Sequence, residues 1–466
     1  MKYLMKERIE RIEKDIVQGL IEKYHIDMST CLYDLTSTFL YSRGDDFKKR
    51  GYSRDHMSHL VQVVIGLALT REDGFPIKHW VHPGNTTDVA VLPDAAAQLK
   101  ELYNEQITLV FDRGNLSEHN VKVLDGLGYH YICGLKLGVK KVKEIIRGAK
   151  DKEFKNIKTI LDEYGKERSV YGISVEADLW GKKRKVVICY SEPKAETEKY
   201  GREKAIEGAK IELETLQKKI WKKNYSHDSL VIKIHKTVEG VSRYFDITIK
   251  DFPPTAELTI EKENGSVDKR KLRWVDKRID QLKAETTLTV EEVRDKLRSI
   301  LGDKRRYYRY RVKESKGHSV FTWKLKEDVV EEAGEFDGYY ALMSTKTDIP
   351  MEDIVDINDS RDVVEKSFQT LKHPVKIRPI RHWVPEMVRA HVYICILGYL
   401  LRQMLHFLIK RQGLSCSVRE ALISLRRVKL IQIGDDKDRC LRLTNLNDDQ
   451  RELFDLVGMS HDFPPC

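Results

Sequence analysis

Residues 31–41, CLYDLTSTFLY, alternate two sets of side chains in the way that is typical of a β-strand. The segment is rich in β-branched and aromatic residues, which favour strands. Asp34 stands in its middle, where an acid is uncommon and costly to bury without a partner. Two interpretations stay open at this point: an edge strand whose Asp34 carboxylate faces solvent, or a strand that carries a metal ligand.

Working outward, the sequence predicts two more strands before the next helix. Residues 59–69, HLVQVVIGLAL, form a dense apolar run that is typical of a central strand. The Asp-Gly pair at residues 73–74 predicts a hairpin turn, after which residues 75–81 return as the third strand. Residues 88–104 then predict a helix with a threonine at its start.

A second acid follows the next short buried strand. Residues 107–111, ITLVF, predict that strand, and Asp112 comes directly after it, where α/β folds place ligand-binding groups. Residues 128–134 predict one further strand. If the fourth strand lies beside the first in a mixed sheet, Asp34 and Asp112 come close together. Two neighbouring carboxylates repel each other unless a divalent cation separates them, and oxygen ligands favour Mg²⁺ or Mn²⁺.

A third acid lies in residues 358–372, NDSRDVVEKSFQTLK, which predict one helix capped by Asp359 or Ser360. At about 100° per residue, one narrow stripe of this helix holds Arg361, Glu365, Phe368 and Lys372. The Glu365 carboxylate is therefore expected to lie between two cations. Val364 and Leu371 are expected to face a core. From this stretch alone, the stripe is either a solvent-exposed face with an i,i+4 ion pair, or a metal ligand flanked by groups that hold phosphates.

The composition indicates a soluble chain from a reducing compartment. Its 466 residues predict two or three domains, and the formal charge of +10 is compatible with a polyanionic partner. The seven cysteines form no C-x-x-C pair, which argues against zinc ribbons and fits a cytoplasmic location. The charged N-terminus predicts no secretory signal. The apolar stretch 392–409 carries Arg402 and His406, so we predict a buried helix and no membrane span.

Residues 136–335 differ from the rest in alternating short apolar segments with very basic runs, at 181–185, 268–274 and 303–311. A long charged helix is predicted at 194–223. We interpret the block as an insertion domain of mixed β and helical structure. Aromatic residues among its cations suit a surface that follows a nucleic-acid backbone and stacks on bases: Trp274, Tyr307, Tyr308, Tyr310 and Trp323. The alternative is a solvated β-surface whose lysines protect strand edges.

The predicted organisation has five parts: an N-terminal helix at 1–28, the first core part at 29–135, the insertion at 136–335, the second core part with the Glu365 helix at 336–412, and a C-terminal helical region with a polar tail at 413–466. Within the second core part, residues 337–344 predict a strand and residues 384–410 a long helix. The alternation of strands and helices in the core predicts the α/β class.

Together these motifs resemble the DDE transposases of bacterial insertion sequences, of the IS-four superfamily type. YDLTST at 33–38 carries the first acid and VFDRGNLS at 110–117 the second, while HPGNTTD at 82–88 is similar to the family's G-N-x-x-D element. The family's Y-x2-R-x3-E-x6-K spacing is matched at Arg361, Glu365 and Lys372. Its tyrosine, which would help to hold a phosphate, is replaced by Asn358.

The resemblance implies a ribonuclease-H-like mixed five-stranded sheet flanked by helices, interrupted by a mainly β insertion domain with a long helix. It implies Mg²⁺-dependent cleavage of DNA at the element ends and strand transfer, with Asp34, Asp112 and Glu365 holding two Mg²⁺ ions and Mn²⁺ able to substitute. The residues that it assigns to DNA or phosphate binding are Arg361, Lys372, Asn85, Arg113 and, for a flipped base, Trp323.

The implied partners are double-stranded DNA, as terminal inverted repeats and target, and a second copy of the chain in a homodimer. The implied location is the bacterial cytoplasm, at the nucleoid when DNA is bound. Only 33 residues precede Asp34, so end recognition is expected elsewhere in the chain, or the copy is shortened. Two other functions remain open: a degenerate transposase that binds DNA without cutting, and a general Mg²⁺-dependent nuclease of the same fold.

Overall fold

The structure, a computed structural model, divides the chain into two compact units. Unit 1 comprises Met1–Ser191 and Tyr339–Cys466, and unit 2 comprises Glu192–Gly338. The residues that the structure describes are 4–103, 107–161, 167–220, 226–252, 256–262, 269–284, 288, 290–301, 308–314, 318–433 and 440–459.

The strands and helices are numbered here in chain order. The strands are β1 Thr30–Leu40, β2 Val61–Thr70, β3 Pro76–Pro83, β4 Thr108–Phe111, β5 His130–Gly134, β6 Lys155–Leu161, β7 Glu167–Leu179, β8 Lys182–Ser191, β9 Phe245–Phe252, β10 Ala256–Lys262, β11 Tyr308–Glu314, β12 His318–Leu325, β13 Tyr339–Ser344, β14 Leu430–Ile433 and β15 Cys440–Leu443. The helices are α1 Lys6–Tyr24, α2 Asp88–Leu102, α3 Glu118–Gly126, α4 Lys140–Arg147, α5 Glu192–Ile220, α6 His227–Thr237, α7 Lys269–Ala284, α8 Val290–Leu301, α9 Glu327–Gly334, α10 Met351–Asp359, α11 Asp362–Lys372, α12 Pro385–Gln412, α13 Val418–Leu425 and α14 Asp448–Leu456.

The described part of unit 1 is built on one mixed sheet of nine strands, in the order β3-β2-β1-β4-β5-β13-β8-β7-β6. Strands β1, β4 and β5 run parallel to one another, and β2 and β3 join them as an antiparallel hairpin extension. The predicted position of the fourth strand beside the first is confirmed. The predicted size of five strands is wrong, because β13 pairs with both β5 and β8 and so adds β8, β7 and β6 to the same sheet. Strand β2 is second from the edge and not central, although it is almost wholly buried.

Strands β6 to β8 lie inside the block that the sequence assigns to the insertion, residues 136–335. The structure places them in unit 1, so the boundary of unit 2 falls at residues 191–192. The buried apolar run Val186–Cys189 of β8 explains the difference, since it lies between β13 and β7 in the sheet interior.

Unit 2 contains more helix than strand among its described residues, so the prediction of a mainly β insertion is wrong. The long helix is present as α5, with its predicted apolar residues Ile206, Leu213 and Leu216 buried. The basic stretch after residue 268 forms α7 and α8, which pack on each other. Their buried residues recur at helical spacing, at Val275, Ile279 and Leu282 and at Val293, Leu297 and Leu301.

The predicted single helix over residues 358–372 is two helices, α10 and α11, with a turn between them. Asp359 is the last residue of α10, and the Ser360 hydroxyl donates to the carbonyl of Ile357 at 2.5 Å. Arg361 occupies the cap position of α11 in a helical conformation and no side chain caps the helix. The capping prediction is wrong because the backbone never takes the extended form that lets a side-chain oxygen reach the first amides.

Helices α11 and α12 close one face of the main core of unit 1. Val364, Phe368 and Leu371 of α11 are buried in that core, as predicted for the first and last of them. By length and composition, α12 could also cross a membrane, but Val388 and Tyr399 on its inner face belong to the same core.

The expected loose C-terminal tail is wrong over residues 430–433 and 440–443, which pair as β14 and β15, and over residues 448–456, which form α14. Asn447 begins this helix with a capping box. Leu453 packs α14 against the end of α12 and against α13.

Candidate functional site

Asp34 and Asp112 lie side by side on neighbouring parallel strands. In the register of β1 and β4, Tyr33 is opposite Phe111, so the two acids are the next residue on each strand. Asp112 directly follows β4 and caps the 3₁₀ turn Arg113–Asn115, where its side chain accepts from the amide of Gly114 at 3.1 Å. The sequence predicted this approach because it placed the fourth strand beside the first.

The charges around Asp34 are mixed. Burial raises the pKa of Asp34 to about 6; the backbone amide of Leu35 and the guanidinium groups of Arg54 and Arg361 act against this rise, and the neighbouring Asp112 adds to it. Arg361 also forms an ion pair with Asp112, Nη2 to Oδ1 at 2.8 Å. The site therefore joins two neighbouring carboxylates with two arginines whose positive charge favours the ionised form of Asp34.

A further acid, Asp88 at the start of α2, also reaches this site. Arg54 Nη2 lies 2.6 Å from Asp88 Oδ2, and the Arg54 amide donates to the buried Ser37 hydroxyl at 3.0 Å. A methyl group added at Gly114 would lie 3.3 Å from Asp112 Oδ2 and 3.6 Å from Asp88 Oδ2, so both carboxylates face this glycine. Asp88 is the acid of the HPGNTTD motif, and sequence reasoning assigned no role to it or to Arg54.

Glu365 lies apart from the acid pair. Its side chain is exposed on α11, one turn after Arg361. Over the described residues, no group of three or more His, Cys, Asp or Glu side chains is placed to hold a metal ion. The alternative interpretation, an i,i+4 ion pair between Arg361 and Glu365, is not what these two residues form, because the Arg361 guanidinium pairs with Asp112.

Asn358, where the resemblance expects a tyrosine, belongs to α10 and not to the helix of Glu365. Its carbonyl accepts from the Arg361 amide at 3.2 Å. Its side-chain oxygen is buried and has no hydrogen-bond partner in the described part of the chain. The Asn358 backbone thus stabilises the turn between α10 and α11 in which Arg361 lies.

Lys372 lies in an internal ion network. Its Nζ is 2.9 Å from Asp55 Oδ1, and Arg378 Nη1 is 2.5 Å from the same oxygen. The Asp55 side chain is only 3% exposed. The phosphate contact predicted for Lys372 therefore requires this side chain to leave Asp55.

The other predicted DNA contacts are scattered. Asn85, in the turn after β3, and Arg113, in the 3₁₀ turn, are exposed. Trp323 of unit 2 is half-buried, with its ring packed edge-on against Phe245 at 5.6 Å between centroids. Tyr310 is half-buried against the core formed by α7 and α8. Of the remaining aromatic residues, Tyr307 lies outside the described residues. The side chains of Trp274 and Tyr308 are likewise outside the described part of the structure.

Comparison with known proteins gives little. No protein-family model matches the chain, and neither does any curated protein. Among solved structures, the chain is similar to the piggyBac transposase in a synaptic complex with hairpin DNA, at 12% identity and a TM-score of 0.25. The match covers 40% of this chain and only 37% of the other. A similarity at this level carries no argument about fold or function.

Proposed function

We propose that the chain is a DDE-type DNA transposase of an insertion sequence. It would cleave phosphodiester bonds at the element ends and join the freed strands to target DNA. The observation that carries the proposal is the adjacency of Asp34 on β1 and Asp112 directly after β4. Arg361, the cap residue of the Glu365 helix, is bound to Asp112. Acids from two neighbouring strands and one nearby helix are what the motif spacing requires.

The first five strands support a ribonuclease-H-like core. Their order, β3-β2-β1-β4-β5, places the antiparallel hairpin of β2 and β3 beside the three parallel strands β1, β4 and β5. This is the arrangement expected of such a core, with Asp34 on β1 and Asp112 directly after the neighbouring β4. The proposal treats β13, β8, β7 and β6 as an extension of that sheet.

The donors at the site suit Mg²⁺ in chemical type, because carboxylate oxygens are its preferred protein ligands. Asp34 and Asp112 are the residues that would hold it, and the raised pKa of Asp34 marks a carboxyl that a nearby cation would stabilise in its ionised form. Glu365 would have to join them. Bound Mg²⁺ would supply the neutralising charge and the activated hydroxyl for phosphoryl transfer. Arg361, once released from Asp112, would contact the phosphate through its planar guanidinium.

The proposed partner is double-stranded DNA, and the proposed assembly on it is a homodimer that bridges two element ends. The formal charge of +10 supports a polyanionic ligand. A cytoplasmic location is part of the same proposal, supported by the free thiols of Cys31, Cys133, Cys189, Cys395 and Cys416.

A cleavage assay tests the proposal. Plasmid carrying the DNA that flanks the gene is incubated with Mg²⁺ and wild-type protein or the variants Asp34→Asn, Asp112→Asn and Glu365→Gln. Each variant should lose cleavage by at least about a hundredfold, while DNA binding in EDTA is retained. Glu352→Gln, which changes an exposed acid of α10, is the matched control and should cut normally. Full cleavage by either aspartate variant would contradict the proposal.

One observation favours a second function, DNA binding without cutting: arginines contact two of the site's acids, and Glu365 lies outside the group. In that case wild-type protein binds the flanking DNA and leaves it intact at every Mg²⁺ concentration. A general nuclease would instead cut plasmid with and without that DNA equally. The same assay separates all three functions.

A further inference from the structure

Unit 1 exposes a tryptophan whose backbone is held firmly. The Trp383 side chain has 73% of its surface exposed, although tryptophan is one of the more buried residue types. Its carbonyl oxygen accepts from the Nζ of Lys48, a buried lysine that also pairs with Asp45 at 2.9 Å. The backbone is therefore fixed while the ring remains free to contact a ligand.

A second exposed aromatic ring is placed beside the same segment. Leu40, the last residue of β1, forms a parallel bridge with Ile380, and both side chains are fully buried. Tyr41 and Arg381 are the residues that directly follow this pair in each segment. Tyr41 is 55% exposed and Arg381 is exposed.

The segment that carries Arg381 and Trp383 has basic side chains and no acidic ones. Residues 373–384, HPVKIRPIRHWV, contain three Lys or Arg residues, two histidines and no acid. Arg378 is used internally against Asp55, whereas Lys376 and Arg381 are exposed. Exposed aromatic rings among cations are the combination that binds single-stranded nucleic acid, because the rings stack on bases and the cations contact the backbone.

This surface is connected to the acid pair by β1. Asp34 lies six residues before Leu40 on that strand, which at about 3.3 Å per residue is a separation of about 20 Å. A DNA strand several nucleotides long spans a distance of this size. The Trp323 ring of unit 2, by contrast, packs against Phe245.

We propose that Tyr41, Arg381 and Trp383 form a stacking platform for unpaired bases of the DNA strand that enters the Asp34–Asp112 site. The inference rests on the proposed function and adds to it the place where the strand is unpaired. The Trp383 ring stacks on a base, Tyr41 supports a neighbouring base, and Arg381 contacts the backbone between them.

The test is equilibrium binding of a single-stranded oligonucleotide that contains a fluorescent adenine analogue, whose emission stacking quenches. The full chain is used in EDTA, so that no cleavage occurs. Wild-type protein should quench the analogue. Trp383→Ala should lose the quenching and bind roughly five- to a hundredfold more weakly, and Trp383→Phe should keep most of both. Arg381→Ala should keep the quenching. It should reduce the slope of the logarithm of the binding constant against the logarithm of the salt concentration by about one.

Leu401→Ala is the control, because Leu401 is an apolar side chain of α12 that is 70% exposed. It should bind and quench like the wild type. Unchanged quenching by Trp383→Ala, or an equal loss in Leu401→Ala, would overturn the inference. Since binding is measured without Mg²⁺, plasmid cleavage without Trp383-dependent quenching contradicts only the platform. Trp383-dependent quenching without any cleavage contradicts only the proposed transposase activity.

Discussion

Arg361 Nη2 lies 2.8 Å from Asp112 Oδ1, so the cap residue of α11 forms an ion pair with the residue that follows β4. Both side chains are partly exposed, and an ion pair of this kind contributes only about 0–1 kcal/mol to stability. The pair can therefore be opened at little cost by a cation that competes for Asp112 or a phosphate that competes for Arg361. We therefore expect the Arg361–Asp112 ion pair to be formed in the free site and broken when a metal ion or a DNA phosphate is bound.

Replacing Arg361 should separate its role at the site from its role in stability. Arg361→Ala is expected to change the free energy of unfolding by less than about 1 kcal/mol, because the pair with Asp112 is solvent-screened. It should still reduce plasmid cleavage by tenfold or more, as about 1.4 kcal/mol of phosphate contact would. Arg361→Lys should restore little, since lysine lacks the planar fork. Urea unfolding and the cleavage assay provide the two measurements, with the exposed Arg419→Ala as control. A large loss of stability would mean that the residue is structural.

Asp55 should matter more for stability than any surface acid nearby. Asp55→Asn leaves Lys372 and Arg378 without their carboxylate partner in a site where that partner is only 3% exposed. Breaking a buried pair in this way costs about 3–5 kcal/mol. Asp46→Asn, at a fully exposed acid, should cost less than about 0.5 kcal/mol. Urea denaturation measures both. If Asp55→Asn were as stable as wild type, Lys372 would be free for the phosphate contact that the motif spacing predicts.

Gly84, the glycine of HPGNTTD, is required because no side chain would fit at this position, and not because of its backbone conformation. A methyl group there would lie 2.0 Å from the carbonyl oxygen of Gln62 and 2.2 Å from that of Lys49. Gly84→Ala must therefore move backbone, and we expect it to cost about 1–3 kcal/mol or more by urea denaturation. Gly126→Ala is the matched control, because its methyl group would meet nothing within 4 Å. Equal stability of the two variants would show that the Gly84 turn adjusts freely.

The sequence predicts best where the signal is local. The alternation in residues 31–41 and the Asp-Gly pair at 73–74 depend on neighbours within a few residues, and both β1 and the β2–β3 hairpin form as predicted. The approach of Asp34 to Asp112 follows once the two strands are neighbours.

Two of the failures involve partners that are distant in the chain, and a third is a local break. Strand β8 joins the main sheet because it pairs with β13, about 150 residues later, and no pattern within residues 182–191 indicates this partner. The pair of Arg54 with Asp88 spans 34 residues and a helix start, so Asp88 shows no signal as a site residue except its place in the motif. The break at Ser360 is hidden because both sides of it are helical.

Asp125 should make the stability of unit 1 sensitive to acid. Its carboxylate lies 2.5 Å from Arg184 and 3.2 Å from Lys182, and it accepts from the Tyr131 hydroxyl at 3.0 Å. Burial acts to raise the pKa of Asp125, but the hydrogen bonds from Arg184, Tyr131 and Lys182 together lower it. A lowered carboxyl pKa stabilises the folded chain above the unfolded-state value of about 3.9, and this stabilisation is lost as the pH falls through the folded-state pKa. The stability difference between wild type and Asp125→Asn, measured by urea unfolding, should therefore be constant above about pH 5 and shrink below about pH 4. A difference that grows on acidification would mean that the ion pair does not hold Asp125 ionised.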